Sequence, residues 1–192
     1  MKRLLPFLLA IPATLALAQS NHERRYELRP DPNWPLAIEL SSGDYQIVPS
    51  ESDSIAVVYQ EDVPDQRKLE VQIASGHGEN HLKIAGGKSR SHVVIEVPRR
   101  TDLHVRMVTG DLHIGEVEGN KDIEMRAGTL ELNAIHPQDY AKADFSVRIG
   151  DLNVPGLNRN GFWRSLRTVG PGKYHLHAHV GVGDLTLRPN KI

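Results

Sequence analysis

The chain has 192 residues, enough for one domain or at most two small ones, and no cysteine, which excludes disulfides and a cysteine-linked lipid anchor. Its 23 basic residues, two of them Lys2 and Arg3, face 24 acidic ones; without those two the formal charge is −3, which argues against a nucleic-acid binder with a basic stripe. Aromatic residues make up 5% of the chain, thin for a base-stacking surface or a ring-lined ligand pocket.

Residues 1–18 read as a signal peptide and not as part of the fold. Lys2 and Arg3 give the positive start. Leu4 to Leu17 is apolar but interrupted by Pro6 and Pro12, and Ala16-Leu17-Ala18 is an A-x-A cleavage signature ahead of Gln19. A membrane span would need roughly 20 apolar residues, more than this run holds. No later stretch is suited to cross a bilayer as a helix. The expected address is therefore periplasmic or secreted, with no lipid anchor, and the mature domain runs over 19–192.

Within it, 19–100 is the less regular part. Glu23 to Leu28 reads as an edge strand, and Pro30, Pro32 and Pro35 then mark a turn, since proline cannot donate to a ladder. Ala37-Ile38-Glu39-Leu40 and Tyr45-Gln46-Ile47-Val48 flank a Ser42-Gly43-Asp44 corner. Further strands are predicted over 54–59, 68–73, 81–84 and 93–97, with Gly76-His77-Gly78 turning the chain between the second and third of these. Strict alternation of apolar and polar residues over runs this short is the mark of half-buried strands. One weak helical stretch is expected around Gln138 to Lys142.

Residues 101–188 carry a recurring phrase: glycine, then Asp or Thr, Leu, a polar residue and an aliphatic one. It stands at Gly110-Asp111-Leu112, Gly128-Thr129-Leu130, Gly150-Asp151-Leu152 and Gly183-Asp184-Leu185, with a looser copy at Gly43-Asp44-Tyr45. Each copy follows an alternating run: Leu103/Val105/Met107, Ile123/Met125/Ala127, Phe145/Val147/Ile149, Leu176/Ala178/Val180/Val182 and Ile38/Leu40. Successive glycines of the strong copies lie 18, 22 and 33 residues apart, the last interval holding an insertion from Asn158 to Gly172. Glycine permits positive φ at a corner, Asp can fix the turn by bonding local backbone, and the Leu after it resumes the inward phase. One such unit cannot bury its apolar face alone, but stacked at the ~4.8 Å strand spacing the units form a continuous core. The expected fold is all-β, a single parallel β-helix or β-solenoid with ~20-residue coils. A β-sandwich also has many short strands, but it leaves the recurrence of the phrase unexplained.

Val97-Pro98, Leu103-His104-Val105, Val108-Thr109-Gly110-Asp111-Leu112 and Gly115-Glu116-Val117-Glu118-Gly119 together resemble the bacterial adhesin-like family of unknown function. That family repeats V-P, L-x-V, V-S-G-D-[VIL] and G-V-x-G phrases. The likeness covers about residues 36–188 and implies a parallel β-helix. Thr109 in place of Ser, Ala127-Gly128-Thr129 in place of Ser-Gly-Asp, and the insertion holding Phe162 and Trp163 depart from the pattern.

Counting back from the corner glycines places His104, Asp122, Asp144 and His177 in one outward column, and Arg106, Glu124, Ser146 and His179 in another. In chain order Asp122 and Asp144 are neighbours, with Arg126 and Arg148 four residues further on. His175, His177 and His179 alternate outward on one strand and are weak candidates for a shared transition metal; a solvated strand face is the plainer reading, and no metal or other cofactor is assigned. Asp111, Asp151 and Asp184 offer one carboxylate per rung, and Thr129 interrupts them, so calcium, which wants six to eight oxygens, is not expected there. The corner residues Gly43, Asp44, Gly110, Asp111, Gly128, Gly150, Asp151, Gly183 and Asp184 are read as structural. No catalytic residue is assigned: no Ser-His-Asp arrangement, P-loop or dinucleotide fingerprint is present.

The function these features suggest is a non-enzymatic exported binding, surface or structural protein, with a glycan, the cell envelope or another protein as partner. The alternative is a carbohydrate-active lyase or hydrolase on the same coil, which would need an acid-base pair of carboxylates in a groove. A deep cleft beside Asp122 and Asp144 would favour the enzyme; a flat face there would favour binding or structure.

Overall fold

The computed structural model describes residues 22–61, 69–86, 92–133, 135, 139–154 and 157–188, so the signal-peptide reading over 1–18 lies outside the described residues. Among the described residues there are eleven strands: β1 (His22–Leu28), β2 (Leu36–Ser50), β3 (Ile55–Glu61), β4 (Leu69–Gly76), β5 (Glu79–Gly86), β6 (His92–Pro98), β7 (Leu103–Ile114), β8 (Lys121–Asn133), β9 (Tyr140–Val154), β10 (Leu157–Val169) and β11 (Tyr174–Arg188). The fold is all-β. Of the helical stretch expected around Gln138 to Lys142, the described part has Asp139 in a 3-10 turn, and Tyr140 to Lys142 instead open β9. Among the described residues no helix is long and apolar enough to cross a membrane.

The sheet order is β1-β3-β6-β2-β7-β8-β11-β9-β10, with β5 also on β2 and β4 on β5. Five strands carry the glycine phrase, and these pair parallel and in one register. Gly43 lies opposite Gly110, Gly110 opposite Gly128, Gly128 opposite Gly183 and Gly183 opposite Gly150. Apolar side chains before the corner therefore stack as Ile38, Val105, Ile123, Ala178 and Phe145, and after it as Tyr45, Leu112, Leu130, Leu185 and Leu152. All ten are buried. The alternation in β7 runs buried-exposed through Leu103–Met107 and returns to the core at Leu112 and Ile114, as period-2 patterning requires.

The phase fails at one place. Ile149 and Val182, the residues immediately before their glycines, are 38% and 45% exposed. They sit where the chain turns, so the inward face of the first half of the strand has already rotated out.

Parallel pairing throughout is corrected by the structure, since the sheet is mixed. At one end β3 runs antiparallel to β6, β4 antiparallel to β5, and β1 antiparallel to β3. At the other, β10 folds back antiparallel on β9. The insertion from Asn158 to Gly172 supplies most of β10, a returning strand with no glycine phrase. Once it covers the far side of β9, β11 enters on the near side, between β8 and β9. Stacking thus departs from chain order.

One inward position is not apolar. Lys121 stands in register with Leu103 and Leu176 and is 2% exposed. Its Nζ donates to the carbonyls of Val117 at 2.5 Å and Gly119 at 3.2 Å and to the Tyr140 hydroxyl at 2.7 Å. The ammonium so ties the link between β7 and β8 to the start of β9, and its own three bonds are made within the protein. Burial, opposed by Asp102, Asp139 and Glu118, lowers its pKa to about 8. Burial, with Asp139 beside it, pushes the Tyr140 phenol well above its ordinary range.

A lysine with a depressed folded pKa has an unusual linkage. Between about pH 8 and pH 10 the unfolded chain keeps a proton that the folded protein has released, so stability rises with pH, by at most about 3 kcal/mol. Above about pH 10 the phenol reverses the slope, because the unfolded tyrosine ionises first. Urea unfolding across this interval should show the rise in the wild type and a flat profile in Lys121→Met. A flat wild-type profile would contradict the burial of the ammonium.

Candidate functional site

Two surfaces carry polar chemistry. The first is the outer face of the strand halves that precede the corners. Its main column reads His104, Asp122, His177, Asp144, Arg167 across β7, β8, β11, β9 and β10. The column expected from the sequence is formed, but Asp122 and Asp144 are not neighbours, because β11 places His177 between them. The parallel column reads Glu39, Arg106, Glu124, His179, Ser146.

Charges on this face are largely matched across strands. Arg106 reaches Asp122 at 2.9 Å and Glu124 at 3.2 Å, and Lys83 reaches Glu39 at 3.3 Å. Asp144 is held by Lys142 at 3.0 Å and by Arg167. Partial burial would raise the Asp144 carboxyl, but the hydrogen bonds from Arg167 and Lys142 outweigh it and hold the group below the usual carboxylate range. That environment suits a permanent anion and is the reverse of what a general acid needs. An open depression of 210 Å³ lies among His104, Asp122, Asp144, His175 and His177.

The three alternating histidines diverge in their partners. His179 Nδ1 lies 2.8 Å from Ser146 Oγ, and the backbone N–H of His175 donates to Asn120 Oδ1 at 2.8 Å. His177 instead faces carboxylates: its ring and the side chains of Asp122 and Glu124 place one donor atom each within 4.8 Å of one another.

At the corners, Gly110, Gly128, Gly150 and Gly183 have φ of 119°, 124°, 132° and 132°. Two of the corner carboxylates act between strands. Asp184 Oδ1 accepts the backbone N–H of Asp151 at 3.3 Å, and Asp44 Oδ2 lies 2.9 Å from His92 Nδ1. Asp111 is exposed, and Thr129 stands between it and Asp184 in the column.

The second surface is a groove of 590 Å³ where the links between strands come together. Trp34, Asp53, Arg99, Arg100, Glu118 and Tyr174 are among the residues that line it. Such a volume falls within the range of small-ligand sites. Trp34 is half-buried on a proline-rich turn that is anchored from below by Asn80, 1% exposed on β5. Asn80 Nδ2 donates to the carbonyls of Asp31 at 3.0 Å and Trp34 at 3.1 Å. Its Oδ1 accepts from Asp31 N at 3.1 Å and from Ser75 Oγ at 2.7 Å. A buried amide whose bonds are all made fixes a loop firmly, since leaving any of them unmade costs its desolvation. On the opposite wall Arg99 pairs with Glu51 at 2.8 Å and Arg100 with Glu118 at 3.2 Å.

In the sequence the Pro30–Pro35 segment reads as a turn only, with no motif that marks this groove. The available signal was a tryptophan set between prolines, a ring held where it cannot collapse into a core. Asn80 gave none, because a polar residue heading an alternating strand is ordinarily outward.

No protein-family model and no curated protein matches the chain. Among solved structures, a candidate adhesin from Parabacteroides merdae is 11% identical with a TM-score of 0.24, covering 59% of this chain and 62% of its own. A candidate lipid-binding protein from Parabacteroides distasonis is 11% identical with a TM-score of 0.25, covering 90% and 96%. Both are too distant in shape to carry an argument. A candidate cell adhesion protein from Clostridium sporogenes is 14% identical, covers 88% of this chain and 100% of its own, and superposes with a TM-score of 0.57. At that identity the likeness concerns the fold alone: this chain is similar in architecture to a candidate cell adhesion protein.

Proposed function

We propose that the chain is an exported, non-enzymatic, adhesin-like binding protein. In this reading residues 1–18 are removed on export and 19–192 form one domain. Its corner-bearing strands are the coils of a β-solenoid closed at both ends by antiparallel strands. The groove at Trp34 is the binding site, and an envelope oligosaccharide is its ligand.

The observation that supports this most is the pinned tryptophan. An indole ring offers an apolar face to a sugar ring while its edge stays wet. The pairs Arg99–Glu51 and Arg100–Glu118 beside it offer donors and acceptors in fixed places for hydroxyl groups. The opposing enzyme reading draws no support from the outer face, where Asp122 and Asp144 are separated by His177, lie on an open surface and are compensated by Arg and Lys.

Two measurements test it. Mass spectrometry of exported protein should find a chain beginning at Gln19; one retaining residues before 15 would contradict the export reading. Purified protein should bind peptidoglycan or members of a printed panel of bacterial oligosaccharides, and Trp34→Ala should weaken that binding by about tenfold or more with the folded spectrum unchanged. Undiminished binding by Trp34→Ala, or release of cleaved sugar by the wild type, would overturn the reading.

A further inference from the structure

We propose that Asp122, Glu124 and His177 form a binding site for a divalent transition metal of the zinc class, on the outer face and separate from the Trp34 groove. The three side chains come from two adjacent parallel strands. Asp122 lies directly opposite His177 in the β8–β11 pairing, and Glu124 is two residues along on the same face as Asp122. Each contributes one donor atom, and these atoms already lie within 4.8 Å of one another. Zinc bound at ~2.0–2.2 Å in tetrahedral geometry needs donors about 3.4 Å apart, so the remaining closure is within side-chain rotation on a fixed backbone.

The surroundings sort His177 from the other histidines of this face. His104 lies 3.3 Å from Glu79 and His179 is bonded to Ser146, whereas among the described residues the rings of His177 and His175 have no hydrogen-bond partner, and of these two only His177 has carboxylate donor atoms gathered beside it. On its β9 side the carboxylate of Asp144 is engaged by Lys142 and Arg167. On its β8 side Arg106 spans Asp122 and Glu124, contacting one oxygen of each. One guanidinium neutralises one of the two carboxylate charges and leaves each carboxylate a second oxygen. It thereby holds the two ligands side by side in the manner of an outer-shell partner. One imidazole and two carboxylates are the donor set of zinc and its neighbours more than of calcium, which wants six to eight oxygens. Three protein ligands on an open surface leave a coordination position free for water or for a group on a partner.

The test is calorimetric titration of zinc chloride into untagged, chelator-treated protein, for the wild type and for His177→Gln, Asp122→Asn and His175→Gln. All three positions face solvent or are half-buried, so the variants should fold alike. The expected result is saturable binding to the wild type, at least about tenfold weaker in His177→Gln and Asp122→Asn, and within about twofold of wild type in His175→Gln. Absence of saturable binding in the wild type, unchanged binding in His177→Gln, or an equal loss in His175→Gln would overturn the proposal.

Discussion

Gly128→Val is expected to leave the protein unfolded. Two independent penalties meet at this residue. Its φ of 124° is in a region that β-branched residues do not adopt without strain. A Cβ built there would also overlap the carbonyl oxygen of Gly110 in the neighbouring strand, and that oxygen belongs to backbone, so no side-chain rotation relieves the overlap. The same geometry repeats between Gly183 and Gly128 and between Gly150 and Gly183. Opening the strand spacing at one corner would strain the ladder on both sides. The combined cost should exceed about 5 kcal/mol, the scale of a small domain's whole stability.

Gly78 separates the two penalties. It has φ of 85°, but a Cβ there meets nothing within 4 Å. Gly78→Ala should therefore cost about 1 kcal/mol, and Gly128→Ala several times that. Equal urea midpoints for the two alanine variants would show that the corners do not touch.

Leu130→Ala should cost about 4 kcal/mol, near the upper end of leucine truncations. Leu130 is fully buried, with Leu112 on one side and Leu185 on the other in the same register. Side chains hung on ladders paired at both edges cannot move in to fill the space, so the cavity stays open. Ile149→Ala, at the exposed position before a corner, should cost less than about 1 kcal/mol by the same assay. If the two losses were alike, the assignment of the inward phase would be wrong.

Much of this geometry is local and could be read from residues alone. Glycine at positive φ and alternation of period two are properties of short segments, so Gly110, Gly128, Gly150 and Gly183, the inward Leu112, Leu130, Leu152 and Leu185, and the membership of the outward columns are legible, whereas Gly43, read as a corner of the same kind, is not at positive φ. What was illegible is set by contacts far apart in the chain. A repeated phrase does not say which copy lies on which, so the entry of β11 between β8 and β9 could not be read. It follows from the return of β10, which carries no phrase. The strands β3 and β4 are legible as strands, but their antiparallel pairing is hidden for the same reason.

Lys121 occupies an inward position that Leu103 and Leu176 fill elsewhere. Only the carbonyls of Val117 and Gly119 and the hydroxyl of Tyr140 explain why an ammonium is tolerated there. Trp34 and Asn80 are 46 residues apart, and neither announces the other. The metal-binding trio likewise depends on strand order, since Asp122 and His177 meet only because β11 pairs with β8.

Strand order is open to a direct measurement, because the chain has no cysteine of its own. His179 lies in register with Glu124 on one side and Ser146 on the other. Cysteines at 124 and 179 would be one strand spacing apart, ~4.8 Å, within disulfide reach; cysteines at 124 and 146 would be two spacings apart and out of reach. Under mild oxidation, Glu124→Cys with His179→Cys should form an internal disulfide, seen as a mobility shift lost on reduction, and Glu124→Cys with Ser146→Cys should not. Cross-linking of 124 to 146 with none between 124 and 179 would mean that the strands stack in chain order, and would contradict the architecture described above.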